Sequence, residues 1–438
     1  MKLAVIGGGS RFVANIAHGL ELTLPEESPG RYEVALFDVE PQRAQQMANY
    51  GRAVAQRRQT PVDFNVYKDR NGALANASHV LVCVGLPEAE AASRRAIEKY
   101  GYPPHSIHDG PTSLATALEA APLFLEIATA IKLVCPAAVM VNLVNPTDVL
   151  ADLVQRAVGV SAVGLCVEVP LWLECLAYYL DVPLDDMWAV HGGINHEGWI
   201  TQLRIGGPTG RVVGREEILA LAGHPSMHIL NRGALMVYEL TGMLPSSGGH
   251  YWQFSDYDLP GAREFWEITY KQRRQAPEER ARRALAECQP LDRVRSGHPI
   301  SDAPLSFMGV GMALARWMLA VETAQPARLA LQVPNDGGFI SNWPRNVFVE
   351  VPAEVESLKI IPQTVGELPE VPCSLTKLAA WQRKRMTDFI LDGRLQTARH
   401  ALAATAHLTG VHHHLAFAEE LFARRAELDR SLRPFIGR

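Results

Sequence analysis

The sequence predicts an α/β protein, with a Rossmann-like, mostly parallel sheet first and an α+β half after it. Three observations predict it. The chain opens on a short apolar run, Lys2 to Ile6, that enters Gly7-Gly8-Gly9-Ser10 and then a helical pattern. Apolar runs of strand length recur at Tyr32 to Phe37, His79 to Val84, Ala138 to Asn142 and Ala162 to Leu165, with helical stretches between them. Buried parallel strands read as continuous apolar runs joined by helical crossovers. After residue 190 the pattern turns to a mixture of short strands and helices, so the expected division is 1–189 and 190–438.

Each element follows from its residues. The strand, tight glycine turn and helix (Phe12 to Leu24) at the start aim backbone N–H groups and a helix N-terminus at a pyrophosphate. The strict dinucleotide fingerprint is not met, because Phe12 stands where a third glycine or alanine belongs. The second strand ends in Asp38, whose carboxylate suits the two ribose hydroxyls of NAD and would repel the 2′-phosphate of NADP. As an ordinary residue, Asp38 would cap the helix that starts at Glu40-Pro41. Ligands in such sheets collect at the carboxyl ends of the strands, where Gly7, Gly9, Ser10, Gly85, Asn142, Asn145 and Cys166 all fall. Asn145, before Pro146, is either a helix cap or a donor to a polyhydroxylated substrate. Glu88 to Tyr100 and Ser113 to Val134 read as long crossover helices.

In the second half, Val190 to Leu203 is strand-rich, and Glu216 to Met243 is helical except at Gly223-His224-Pro225. Leu244 to Phe254 forms a polar, aromatic loop suited to a pocket wall. Residues 262–288 read as a charged helix, and Met308 to Ala324 as an apolar one for packing or subunit contact. Gln332 to Gly338 and Val347 to Pro352 suggest two strands around a turn, and helices fill Ser374 to Leu428.

Composition excludes several classes. With 438 residues, 47% hydrophobic and a net charge of −5, the chain has ample core and no electrostatic footprint for nucleic acid or an anionic membrane. The six cysteines, at 83, 135, 166, 175, 288 and 373, have neither zinc-finger nor disulfide-framework spacing. No basic-plus-apolar leader is visible, and no uninterrupted apolar run approaches membrane-spanning length. The expectation is a cytoplasmic protein with reduced thiols and no membrane partner.

The most informative stretch runs from Val163 to Trp199. Its first half delivers Cys166 at the end of a buried strand; its second, Val190 to Trp199, sets imidazoles and a carboxylate among glycines. A thiolate and an imidazole suit a borderline divalent ion, leaving other positions to water or substrate oxygens. By spacing alone, Cys166 reads more readily as a small buried hydrophobe and His196 as a satisfied polar residue, and it is the position of Cys166 at a strand's carboxyl end that favours the ligand reading.

Taken in order, several blocks resemble glycoside hydrolase family 4, the NAD- and manganese-dependent glycosidases. They are Ile6 to Ser10, Lys99-Tyr100-Gly101, Asn142 to Pro146, Gly164-Leu165-Cys166, Gly193 to His196 with Trp199, Leu244 to His250, and Val333-Pro334-Asn335 through Pro352. The first domain is also akin to the NAD fold of lactate and malate dehydrogenases. The resemblance implies an NAD domain, a substrate domain and a homodimer or homotetramer. It also implies redox-assisted hydrolysis outside the two-carboxylate scheme. NAD takes hydride from sugar C3, a base removes the C2 proton, the glycosidic oxygen leaves, water adds at C1 and the hydride returns. By the same resemblance Cys166 and His196 ligate Mn²⁺ or another divalent ion, while Asn145 and His250 contact a small glycoside.

Departures from the family pattern are local. Val167 follows the cysteine where a polar residue is common, with Glu168 one further on, and glycine stands before His250 where an acid is expected. The base is therefore sought at Tyr251, Asp256 or Tyr257. Alternatives to the glycosidase are a plain oxidoreductase of a sugar or 2-hydroxy acid, and a dinucleotide sensor that has kept the fold without catalysis.

Overall fold

A computed structural model of the chain describes residues 1–24, 30–103, 110–248, 308–323, 325–403, 405 and 409–436. The strands among them are β1 (Lys2–Ile6), β2 (Tyr32–Phe37), β3 (Val62–Val66), β4 (His79–Val82), β5 (Val139–Asn142), β6 (Ala162–Gly164), β7 (Met187–Ile194), β8 (Glu197–Ile205), β9 (Arg211–Val212), β10 (Leu244–Pro245), β11 (Ala327–Pro334), β12 (Phe348–Glu356) and β13 (Lys359–Pro362). All belong to one sheet, in the order β10-β8-β7-β12-β11-β6-β5-β4-β1-β2-β3, with β13 beside β12 and β9 beside β8.

From β6 to β3 every pairing is parallel. The order 6-5-4-1-2-3 reverses between β1 and β4, which is where a doubly wound sheet opens its ligand crevice. The α+β half does not form a separate sheet. Its strand β11 pairs antiparallel with β6, Gln332 opposite Gly164, and the remaining pairings from β11 to β10 are antiparallel too. Gly164 is required there, because a Cβ on it would lie 2.1 Å from Gln332 Oε1.

The parallel strands are buried on both faces, so their residues alternate between two cores. Leu3 and Val5 pack with helices Phe12–Thr23 and Met308–Thr323, whereas Ala4 and Ile6 face helices Ser113–Val134 and Thr147–Val158. Helix Met308–Thr323, expected as packing or subunit contact, lies against Phe12–Thr23 within the chain. The two cross at Gly19 and Gly311, so closely that a Cβ on Gly19 would sit 2.0 Å from the Gly311 carbonyl carbon. Among the described residues, helix Ser113–Val134 is long and apolar enough to span a bilayer. Leu114, Leu118, Phe124, Leu125 and Ile131 are nevertheless fully buried in the second core, the pattern of a central helix in a globular domain.

Candidate active site

The glycine turn after β1 is held by its neighbours. Gly7 has φ +97°, and a Cβ there would meet the Cys83 carbonyl at 2.8 Å. Gly7 N and Gly8 N both donate to Phe37 O, at 3.0 and 2.9 Å. Gly9 N donates to Asp38 Oδ2 at 2.8 Å, and Asp38 Oδ1 accepts from Glu40 N at 2.8 Å. Asp38 is thus both the carboxylate at the end of β2 and the clamp that sets the turn. Ser10 closes it, donating from its backbone N to Gly7 O at 3.0 Å. Gly85, beyond β4, is exposed with open space where its Cβ would be. The amides of Gly7 to Ser10 are thus spent on holding the turn, and what the turn and Gly85 offer a pyrophosphate is close approach to a backbone bare of side chains.

On the same side of the sheet, Cys166 follows β6, and His196 lies in the two-residue turn between β7 and β8, where Ile194 pairs with Glu197. Cys166 Sγ and His196 Nε2 are 3.2 Å apart. Glu168, first residue of helix Glu168–Tyr179, joins them: ligand atoms of all three residues lie within 4.8 Å of one another. Burial pushes the Cys166 thiol up, an effect His196 partly offsets. Thiol, imidazole and carboxylate converging in a buried site suit a borderline divalent cation.

The turn that carries His196 is fixed from several directions. His196 has φ +63°, uncommon for a residue other than glycine. Its carbonyl accepts from Ser247 Oγ at 2.6 Å. Arg383 Nη2 donates to Asn195 O at 2.9 Å and to Glu197 Oε1 at 3.2 Å, while Nη1 donates to Asp148 Oδ2 at 2.7 Å. Gln332 Nε2 donates to Asn195 Oδ1 at 2.8 Å and to Glu350 Oε1 at 3.2 Å. Burial pushes the Glu350 carboxyl up to about 7, against the opposing hydrogen bond from Gln332.

Asn145 joins this group, accepting at Oδ1 from Asn195 Nδ2 at 3.2 Å. Asn142 does not. Its side chain is spent on its own loop, through Val144 N, Val144 O and Thr147 O. His250, Tyr251, Asp256 and Tyr257 lie outside the described residues, as does the charged helix expected over 262–288. Sequence patterns assign no role to Gln332, Glu350 or Arg383. Gln332 and Glu350 each interrupt an otherwise apolar strand pattern, and a polar residue at an inward strand position is the one signal that could have found them.

A model of the family 4 glycosyl hydrolases matches residues 2–182, and a model of that family's C-terminal domain matches 191–407. The chain belongs to glycosyl hydrolase family 4. An α-galactosidase of Bacillus subtilis is 26% identical over 385 residues, covering 86% of each chain. Among solved structures, the Thermotoga maritima 6-phospho-β-glucosidase with manganese, NAD⁺ and glucose-6-phosphate superposes at TM-score 0.73. It is 19% identical and covers 100% of this chain and 99% of that one. A Cryptosporidium parvum malate dehydrogenase superposes at TM-score 0.51 with 15% identity, covering 88% of this chain and 98% of that one, which shows the related fold alone. As a family 4 member the chain is a glycosidase that uses NAD and a divalent metal.

Proposed function

We propose that this family 4 enzyme hydrolyses a small, unphosphorylated α-galactoside, with the divalent ion held by Cys166 and His196. The observation that carries the site assignment is the 3.2 Å approach of Cys166 Sγ to His196 Nε2 at the end of the sheet that also carries the glycine turn. Three inter-strand steps separate β6 from β1, roughly 14 Å at ordinary sheet spacing, so one dinucleotide bound across the crevice reaches both. The glycine turn with Asp38 would hold NAD, which would supply a reversible hydride acceptor, and Cys166 with His196 would hold the metal, which would supply Lewis-acid polarisation of sugar oxygens.

The chain's own residues bind and orient. Asn145, braced by Asn195, presents an amide to a sugar hydroxyl. Asp38 and the glycine turn hold the adenosine ribose and pyrophosphate. Tyr251, Asp256 and Tyr257 remain the candidates for the base that takes the C2 proton, with His250 at the sugar. The galactoside preference rests on the α-galactosidase relative, which aligns along most of both chains.

A cytoplasmic setting fits the five described cysteines, all of them free. A homodimer or homotetramer fits helix Ile229–Thr241, where Ile229, Met236 and Leu240 stand exposed along one side.

The deciding experiment supplies nitrophenyl α-galactoside with NAD⁺, Mn²⁺ and a thiol reductant, with 6-phosphoglucosides in parallel. Release of nitrophenol from the galactoside without accumulation of NADH is expected. Hydrolysis of the phosphorylated glucosides alone would overturn the substrate assignment, and stoichiometric NADH would favour the plain oxidoreductase.

A further inference from the structure

We infer, on the metal-dependent function proposed above, that Glu168 is a third protein ligand, so that this chain grips its divalent ion with thiolate, imidazole and carboxylate together. The backbone brings the three groups to one place by different routes. Cys166 ends the segment after β6, Val167 caps the next helix, and Glu168 is that helix's first residue. His196 arrives from the turn between β7 and β8.

The spacing suits one ion. With metal–donor bonds of about 2.0 to 2.3 Å, donors around a shared ion lie roughly 3 to 4.5 Å from each other. The ligand atoms of Cys166, Glu168 and His196 fall within 4.8 Å of one another, with thiol and imidazole 3.2 Å apart.

The ordinary alternative is that Glu168 serves the helix N-terminus, where a carboxylate is favourable anywhere in the first turn. That role is satisfied at the surface. Here Glu168 is 9% exposed, and its carboxylate lies with the Cys166 thiol and the His196 imidazole, their ligand atoms within 4.8 Å of one another. Thiol, carboxylate and imidazole donors brought together away from solvent are the donor set of a borderline divalent cation. M²⁺ with one thiolate, one carboxylate and one neutral imidazole would be neutral overall, so the loaded site would bury no net charge.

Three protein ligands would leave a six-coordinate ion room for substrate oxygens and water. The carboxylate also brings a hard oxygen donor to an otherwise soft pair, which favours Mn²⁺ over thiophilic ions.

The test is metal affinity, measured by chelator competition with Mn²⁺ on the full chain, for the unchanged protein and for Glu168→Gln, Glu168→Asp and Cys166→Ser. NAD⁺ titration and far-ultraviolet circular dichroism accompany each variant. Even outer-shell partners cost about 10- to 100-fold in metal affinity, so Glu168→Gln should lose at least about tenfold while NAD⁺ affinity and fold persist. In the Co²⁺-loaded protein the thiolate-to-metal absorption should shift in Glu168→Gln but vanish in Cys166→Ser. Glu168 is no ligand if Cys166→Ser weakens the metal and Glu168→Gln binds it within about twofold of the unchanged protein. Turnover lost at unchanged metal affinity in Glu168→Gln likewise removes Glu168 from the ligand set and assigns its carboxylate to the substrate. If Cys166→Ser itself leaves the affinity intact, the Cys166–His196 site fails, and Glu168 with it.

Discussion

Arg383 Nη2 donates to the carbonyl of Asn195 at 2.9 Å, so a helix near the C-terminus, Glu370–Asp392, holds the turn that presents His196. The other guanidinium nitrogen meets Asp148 at 2.7 Å, and both side chains are almost wholly buried, 4% and 2% exposed. Removing one member of a buried pair costs more than the pair contributes, because the partner's charge is left stranded. Arg383→Met should therefore destabilise the chain by about 3–5 kcal/mol in urea unfolding. It should also weaken Mn²⁺ binding, since the turn loses its brace. Arg383→Lys should recover little, because an ammonium cannot reach Asp148 and Asn195 in the planar fork. Full stability of Arg383→Met would show that the network does not brace the turn.

Cys166→Ser and His196→Ala should each abolish turnover and metal retention while NAD⁺ binding stays near normal, because the glycine turn is assembled without either side chain. The ion should come away with chelator without unfolding the chain, and bind less well as the pH is lowered and protons compete for its ligands. Equilibrium dialysis with Mn²⁺ beside thermal melts separates this outcome from a structural role. A merely structural pair would instead give lower melting temperature with activity intact in the folded fraction.

Asp38 carries two duties, and its removal should show both. Asp38→Ala loses the acceptor of Gly9 N and Glu40 N, a cost of about 1–3 kcal/mol if those amides are left unsatisfied. NAD⁺ affinity should fall, and the preference for NAD⁺ over NADP⁺ should narrow as the carboxylate that repels the 2′-phosphate disappears. Calorimetric titration of both dinucleotides checks it; tighter NADP⁺ binding by the unchanged protein would refute the assignment.

His191 on β7 predicts an acid-side weakness. It is 4% exposed, and neither ring nitrogen has a hydrogen-bond partner among the described residues. Burial, with a smaller contribution from Arg328, lowers its pKa from 6.5 to about 3. Across that window the unfolded chain takes up a proton that the folded chain refuses, so stability falls as pH drops below 6.5 and is untouched above it. The slope from this one group is at most about 1.4 kcal/mol per pH unit. His191→Leu should melt higher than the unchanged protein at pH about 5 and differ less at pH about 8. An equal offset at both pH values would mean that His191 does not titrate with unfolding.

The parallel half was legible because its physics is local. Continuous apolar runs, a glycine turn and an acidic strand end each specify their own geometry, and five of the strands fall within one or two residues of where the pattern places them; β3 (Val62–Val66), whose Val-Asp-Phe-Asn-Val alternates on the sheet edge, was not placed. Cys166 and His196 were legible as residue types, and the structure brings them together at 3.2 Å. What surrounds them was not. Gln332, Arg383 and Asp148 meet only after distant segments have packed, and no short-range pattern connects residues 332, 383 and 148. The continuity of the sheet was hidden for the same reason: it depends on Gln332 facing Gly164, two residues whose spacing in sequence says nothing of their pairing.

The crossing at Gly19 and Gly311 bears on how this protein can be taken apart. Helix Phe12–Thr23 opens the dinucleotide-binding crevice, yet the helix packed against it, with Val310, Leu314, Trp317 and Met318 in the shared core, comes from the second half of the chain. A fragment ending at residue 189 would keep every strand from β1 to β6 and still bare the apolar flank that this second helix covers. Cutting there would yield an aggregation-prone stump rather than a portable cofactor module. Recombining halves between relatives would succeed only where the small residues at both crossing positions travel together.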